Sequence, residues 1–335
     1  MHELRKDPIL QRWVVVLSDD SKPPSFYCAD RRRGIPPRAP CPLCEISGDT
    51  VEIFRIPDAD ASKPPRVRVV ANNHPILQIE GTLGRRGIGM YDAMNGIGAS
   101  EIVIESPFHD VEPDERRIEN LSLVLETYRR RIEDLQKDMR LRYVLAFKNY
   151  GRAAGAVYDH PHSQIVATPI TPRAVKDELY GARTHFGLKE RCVFCDILRE
   201  ERRAGSRIIA ENRDFIAFVP YAPRFPFEIW ILPNEHQHSY VSLVDEQTPN
   251  LASIISLCAR KLGAVLEDPP YNMVLHTSPN KIPRPGHWLT LDDDYHWHIE
   301  LLPNLLTHAG FEWGSGLHVL ATTPEDAARY LREAR

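Results

Sequence analysis

The sequence predicts an α+β fold built from two copies of one unit, and three recurrences predict it. A Cys-x-x-Cys pair occurs twice, as Cys41/Cys44 and Cys192/Cys195. A His-x-His pair occurs twice, as His160/His162 and His296/His298. Between these pairs the same features come in the same order: an extended stretch, a strand ending in a histidine, a helix and a further strand.

The elements follow from residue pattern. In the first copy PRVRVVANNHPILQIEG reads as extended, and EIVIESPFH as a strand ending at His109. Ile118, Leu121, Leu125, Tyr128, Ile132, Leu135 and Met139 then recur at steps of three and four, which is one apolar helical stripe. Pro113 and Asp114 suit its start. RYVLAFKNYG reads as the next strand and leads to the first His-x-His pair. In the second copy RIIAENRDFIAFVPY is extended, and FEIWILPNEH ends at His236. A second stripe runs Leu251, Ile254, Ile255, Cys258, Leu262, Val265 and Leu266, and the strand YNMVLHTSP precedes YHWHIELLP. The stretch TPITPRAVKDELYGARTHFG reads as the connection between the copies. The expected division is residues 1–177 and 178–335, with the two units facing each other.

Composition narrows the function classes. With 335 residues, 26% of them charged, the chain can bury a sizeable core. A net charge of −4 without long runs of either sign gives no bulk attraction to nucleic acid or an anionic membrane. No stretch reaches the roughly 18 continuous apolar residues of a membrane span, and Asp7 and Pro8 interrupt what a signal peptide would need as its apolar core. A cytoplasmic protein is the expectation.

The six cysteines and fourteen histidines point to metal. A tetrahedral zinc site needs four soft or borderline donors, of which a Cys-x-x-Cys turn supplies two. Cys41, Cys44, His109 and His160 form one predicted set, and Cys192, Cys195, His236 and His296 the other. Four protein ligands close each site, so the predicted zinc is structural. Cys258, within an apolar run, is expected to be a buried, inert thiol.

In DHPHSQ, His160, His162 and Gln164 stand at alternate positions, which puts them on one face of a strand. With His160 assigned to metal, His162 is left to act as base, ligand or nucleophile. Gln164 is neutral and can donate a hydrogen bond to a phosphoryl oxygen as charge redistributes. The loop NYGRAAGA before them has small residues that let backbone N–H groups approach a phosphate, although it matches neither a P-loop nor a dinucleotide fingerprint. GRRGIGMYDAMNGIGA reads as a mobile surface loop, and GFEWGSG as a turn or a sugar-phosphate contact.

These residues resemble the galactose-1-phosphate uridylyltransferase branch of the histidine triad superfamily, over nearly the whole chain. DPILQRWVVV, CPLC, ESPFH and NYGRAAGAVYDHPHSQ follow the family's order, and HPHSQ is the most specific of them. The resemblance implies two tandem histidine-triad-like domains, each an antiparallel sheet with a long packing helix. It implies His162 as nucleophile and Gln164 as donor to its phosphate. It implies Asn72 and Asn73 at the nucleoside, Asn149 and Gly155 at the phosphates, and Glu312 at sugar hydroxyls. The zinc sets above match the family's ligands, the second set being found in only some members. A homodimer is also implied.

Two departures stand out. The segment after the opening strand reads LSDDSKPPSF, where members using galactose 1-phosphate carry arginines, and His74 follows the paired asparagines where an aromatic is usual. Glu300 stands where the first copy has Gln164, so His298 is expected to be structural or substrate-side. The reading is a nucleotidyltransferase working by ping-pong chemistry, with UDP-glucose as donor and galactose 1-phosphate as acceptor. The alternative is a phosphorylase acting on ADP-glucose or a dinucleoside polyphosphate, or a hydrolase of nucleotide conjugates.

Overall fold

The computed structural model describes residues 2–28, 41–44, 50–109, 114–283, 288–307 and 309–334. Ten strands form one antiparallel sheet, in the order Ile208–Glu211, Phe215–Phe218, Ile229–Pro233, His298–Pro303, Tyr271–His276, Tyr143–Tyr150, His162–Thr168, Ala99–Ile104, Val67–Ala71 and Glu52–Ile56. Counted outward from the middle, both halves use their strands in the same sequence order, so the repeat is real. The units do not face each other as expected; they join edge to edge. Tyr271 to Leu275 pair with Tyr150 to Ala146 across the seam. The physical reason is the open edge: each five-stranded half would otherwise present an unpaired row of backbone donors and acceptors.

The helices Asp114–Leu135 and Thr248–Leu266 lie on one face of this sheet and share one core with it. The Tyr240 hydroxyl, from the second half, donates to the Leu125 carbonyl at 3.0 Å. The first helix stops before Met139, which is exposed. There Asp138 turns the chain by accepting from the Arg140 backbone and guanidinium.

On the opposite face the halves differ. The expected connection contains a helix, Arg173–Lys189, which with Val193–Ala204 covers Ile216, Phe218, Trp230 and Leu232 of the second half. Ile9, in the N-terminal turn, joins that layer. The turn is held by the Asp7 carboxylate, which accepts from the Ile9 and Leu10 amides. It comes so close to the Arg173–Lys189 helix that a Cβ on Gly181 would lie 1.9 Å from the Ile9 carbonyl oxygen. Over the first half, the described residues give only a small cluster of Leu43, Val70, Ile102 and Ile104 on this face. A separate three-stranded sheet joins the two ends of the chain: Trp13–Val16 pairs antiparallel with Glu3–Lys6 and parallel with His318–Leu320.

Two further segments differ from expectation. Residues 84–99 contain a hairpin, Arg86–Ile88 with Tyr91–Ala93, turned at Gly89 with φ 60°. GFEWGSG contains a short helix, Gly310–Ser315. Pro113 lies outside the described residues. Among the described residues, no helix is long and apolar enough to cross a membrane.

The first long helix is pinned to the sheet by a buried ion pair, Arg131 to Glu101, with both guanidinium donors at 2.7–2.9 Å. Replacing Arg131 with Met leaves a buried carboxylate alone and should cost about 3–5 kcal/mol in urea unfolding, most of which an added Glu101→Leu should restore.

Candidate active site

His162 opens its strand, and Ile104 on one neighbouring strand pairs with it. On the other side Phe147 pairs with Gln164, so Asn149, two residues further, shares the face of His162. The His162 ring is buried and meets Tyr158 edge-on at 5.3 Å. Its Nδ1 is 2.8 Å from the His160 carbonyl, which can only accept, so Nδ1 carries the proton. The lone pair then belongs to Nε2. Burial holds the His162 pKa below the ordinary histidine value, which keeps the ring neutral near neutral pH.

On the helix side of the same strand lie Ser163, Lys148 and Glu105. Lys148 and Glu105 form a half-buried ion pair, and Lys148 Nζ also reaches the His162 carbonyl at 3.4 Å. Neither residue belongs to a motif in the sequence; an isolated Lys in an apolar strand is the only signal it gives.

Both predicted metal sets come together. In each, one donor atom from every residue lies within 4.8 Å of the others. Cys44 Sγ is 3.3 Å from His160 Nδ1 and 3.6 Å from His109 Nδ1. Cys195 Sγ is 3.4 Å from His236 Nδ1 and 3.7 Å from His296 Nδ1. His160 and His236 turn their other nitrogens to the carbonyls of Ser106 and Asp292, each at 2.8 Å. That outer bond fixes the tautomer which leaves Nδ1 open for a metal ion. The donor sets therefore fit a closed tetrahedral ion, and His160 links the first cluster to the strand of His162.

The remaining predicted residues make mostly local contacts. Asn72 donates to Ser100 Oγ at 3.2 Å and accepts from the His74 amide at 3.0 Å, while Asn73 donates to Thr50 Oγ1 at 3.2 Å. Asn149 Nδ2 lies 3.3 Å from the Gly155 carbonyl, across a loop whose Gly155 has φ 90°, a backbone state that favours glycine. Glu312 accepts from the Ala309 amide at 3.0 Å, a contact within its own short helix. Lys22, the cation after the opening strand, is paired with Asp20 at 2.5 Å.

The second copy repeats the backbone arrangement and fills the space. His298 Nδ1 faces the His296 carbonyl at 3.2 Å, as His162 faces His160. Its ring is stacked between His276 at 4.6 Å and Trp230 at 5.2 Å. His276 Nδ1 contacts Glu178 at 3.0 Å and its Nε2 contacts Glu300 at 3.2 Å, while Arg224 forms an ion pair with Glu300. The gap among Ile9, Arg12, Glu178, Arg224, Trp230, His298 and Glu300 is about 10 Å³, room for a water-sized group at most. His298 is thus enclosed by packed side chains. The sequence reading missed Glu178, Arg224 and His276, which three separate segments supply.

The comparisons with known proteins define an enzyme of the nucleotidyl-transferring class. Residues 70–172 match the N-terminal domain of galactose-1-phosphate uridyl transferase, and residues 178–332 its C-terminal domain. The chain belongs to the galactose-1-phosphate uridylyltransferase family. It is 32% identical to the ADP-glucose phosphorylase of Arabidopsis thaliana over 99% of this chain and 92% of that one. It is 25% identical to the galactose-1-phosphate uridylyltransferase of Thermotoga maritima over 99% and 98% of the two chains. Among solved structures, the Arabidopsis ADP-glucose phosphorylase with bound ADP-glucose superposes with a TM-score of 0.82 at 31% identity, covering 100% of this chain and 99% of the other. A uridylyltransferase structure follows at 0.71 and 27%, covering 99% and 97%. These likenesses back the adenylyl alternative better than the uridylyl reading.

Burial opposes charge on His276, yet Glu178 and Glu300 hold its pKa up to about 10, against 6.5 ordinarily. A raised histidine contributes its stability in full below the unfolded value and loses it as pH rises through the folded one. Stability to urea should therefore fall between pH 6.5 and 10 in the wild type. His276→Gln should be destabilised at neutral pH and should lack that part of the slope.

Proposed function

We propose that the protein is an ADP-glucose phosphorylase. Its first half, residues 1–177, carries the chemistry, and residues 178–335 form a second domain of the same kind. The observation that carries this reading is the Nδ1 contact of His162 with the His160 carbonyl, which leaves Nε2 as an uncharged nucleophile beside Gln164. The likeness to an ADP-glucose-bound relative supports adenine and glucose. The engagement of Lys22 with Asp20 supports inorganic phosphate as acceptor in place of a sugar phosphate, since no arginines follow the opening strand.

Nε2 of His162 forms a bond to the α-phosphorus of ADP-glucose as the bond from that phosphorus to the bridging oxygen breaks, and glucose 1-phosphate leaves. An oxygen of phosphate then attacks the same phosphorus, the P–N bond breaks, and ADP departs with the imidazole restored. Gln164 donates to the phosphoryl oxygens during both steps. Asn149 and the Gly155 loop hold the phosphates, Asn72 and Asn73 the nucleoside, and Glu312 sugar hydroxyls. The two Cys2His2 sets hold structural zinc. A reducing, cytoplasmic setting suits both thiol pairs, and a homodimer is the assembly we favour.

With ADP-glucose and phosphate, the protein should release glucose 1-phosphate and ADP. Turnover of UDP-glucose with galactose 1-phosphate at a higher kcat/KM would restore the uridylyl reading. Label from the adenylyl group of ADP-glucose should remain on the wild-type protein when phosphate is withheld; its persistence on His162→Asn would remove His162 from the nucleophile's role. Elemental analysis should find two zinc ions per chain, with Cys41→Ser and Cys195→Ser each losing one.

A further inference from the structure

The loop that turns Asn149 and Gly155 toward His162 is held from the other half of the molecule. Asn272 lies on the first strand beyond the seam, directly opposite Asn149. Its Nδ2 donates to Asn149 Oδ1 at 2.8 Å and to the Ala154 carbonyl at 2.8 Å. Asn304 Nδ2 donates to the neighbouring Ala153 carbonyl at 2.6 Å, and its own amide donates to the Pro270 carbonyl at 2.8 Å. Gly151, with φ 79°, sits so close to Pro270 that an added Cβ would lie 3.0 Å from the proline ring. The Tyr150 hydroxyl donates to Asp268 at 2.8 Å, and its ring stacks on Tyr271 at 5.0 Å.

The two Nδ2 hydrogens of Asn272 decide which way round the Asn149 amide sits. Because Asn272 presents a donor, Asn149 must present its oxygen to the seam. Its NH2 is then turned the other way, toward Gly155 and the face of His162. An anionic phosphate requires a donor there, and the opposite amide orientation would present it with an oxygen.

We propose that Asn272 is a positioning residue for the phosphate-side wall of the active site: it fixes the Asn149 amide with its donor end toward the substrate and ties the residue 151–155 loop to the second half. The second domain thereby takes part in catalysis without touching substrate. The proposal rests on the nucleotidyl-transfer reading above.

The test uses the full-length protein with Asn272→Ala, Asn272→Asp and Asn304→Ala. Asn272→Asp keeps the shape but presents only acceptors, so it should flip Asn149 and repel the Ala154 carbonyl. It should lower kcat/KM for ADP-glucose about 100-fold, the scale of a misplaced site. Asn272→Ala removes the hydrogen bonds without reversing the amide and should lose about tenfold. Asn304→Ala, which does not touch Asn149, should speed hydrogen exchange at residues 153–156 with the smallest kinetic loss. A residue serving shape alone would give the reverse order, with Asp closest to wild type. Asn272→Asp within about twofold of wild type, or a larger loss in Asn272→Ala, overturns the proposal. Failure of wild-type protein to take up label from ADP-glucose would instead sink the functional reading. The tether would then be judged by exchange alone, and unchanged exchange at 153–156 in both Asn272 variants would refute it.

Discussion

Everything in this molecule depends on one antiparallel pairing, Tyr143–Tyr150 against Tyr271–His276. It turns two five-stranded sheets into one, and it brings Asn272 against Asn149. Without it each half would expose a backbone edge, and the two helices that share a core above the seam would lose their common floor. The seam also sets the geometry of the site, because the strand of His162 is the next one out.

The two halves share one strand order and differ in what packs over their His-x-His strands among the described residues. Both place a histidine whose Nδ1 faces a carbonyl two residues back. Over the second, two helices and the N-terminal turn close down, and Glu178, Arg224, His276 and Glu300 neutralise one another in the space where substrate would sit. Burying such charges is tolerable only because each has a partner. Over the first, the described residues leave His162 beside a small apolar cluster and the glycine loop.

Much of this was legible in the residues. Both metal clusters could be read because cysteine pairs and histidines recur at matching stations, and the strand carrying His162 could be read from alternation. The helix stripes were clear, although Met139 extended the first one too far; the carboxylate of Asp138, which ends it, acts through local hydrogen bonds that periodicity does not register. From sequence the helix Arg173–Lys189 reads only as a connection. Its burial depends on the N-terminal turn, which packs on it from 172 residues earlier in the chain, as Gly181 and Ile9 show. The ion cluster and the asparagine tethers likewise join distant segments, and no local pattern announces a hydrogen bond across a seam.

The small sheet that joins the chain ends has a consequence for how the protein comes into being. Trp13–Val16 pairs in parallel with His318–Leu320, and the turn between Glu3–Lys6 and Trp13–Val16 plugs the second copy. Residues 3–16 thus wait for a partner strand made about 300 residues later in the chain. The first half can assemble its strands as it is made, but the small sheet cannot close until His318–Leu320 has been made. Such long-range closure slows folding, and it bears on the turn that seats Ile9 and Leu10 over the charged residues of the second copy.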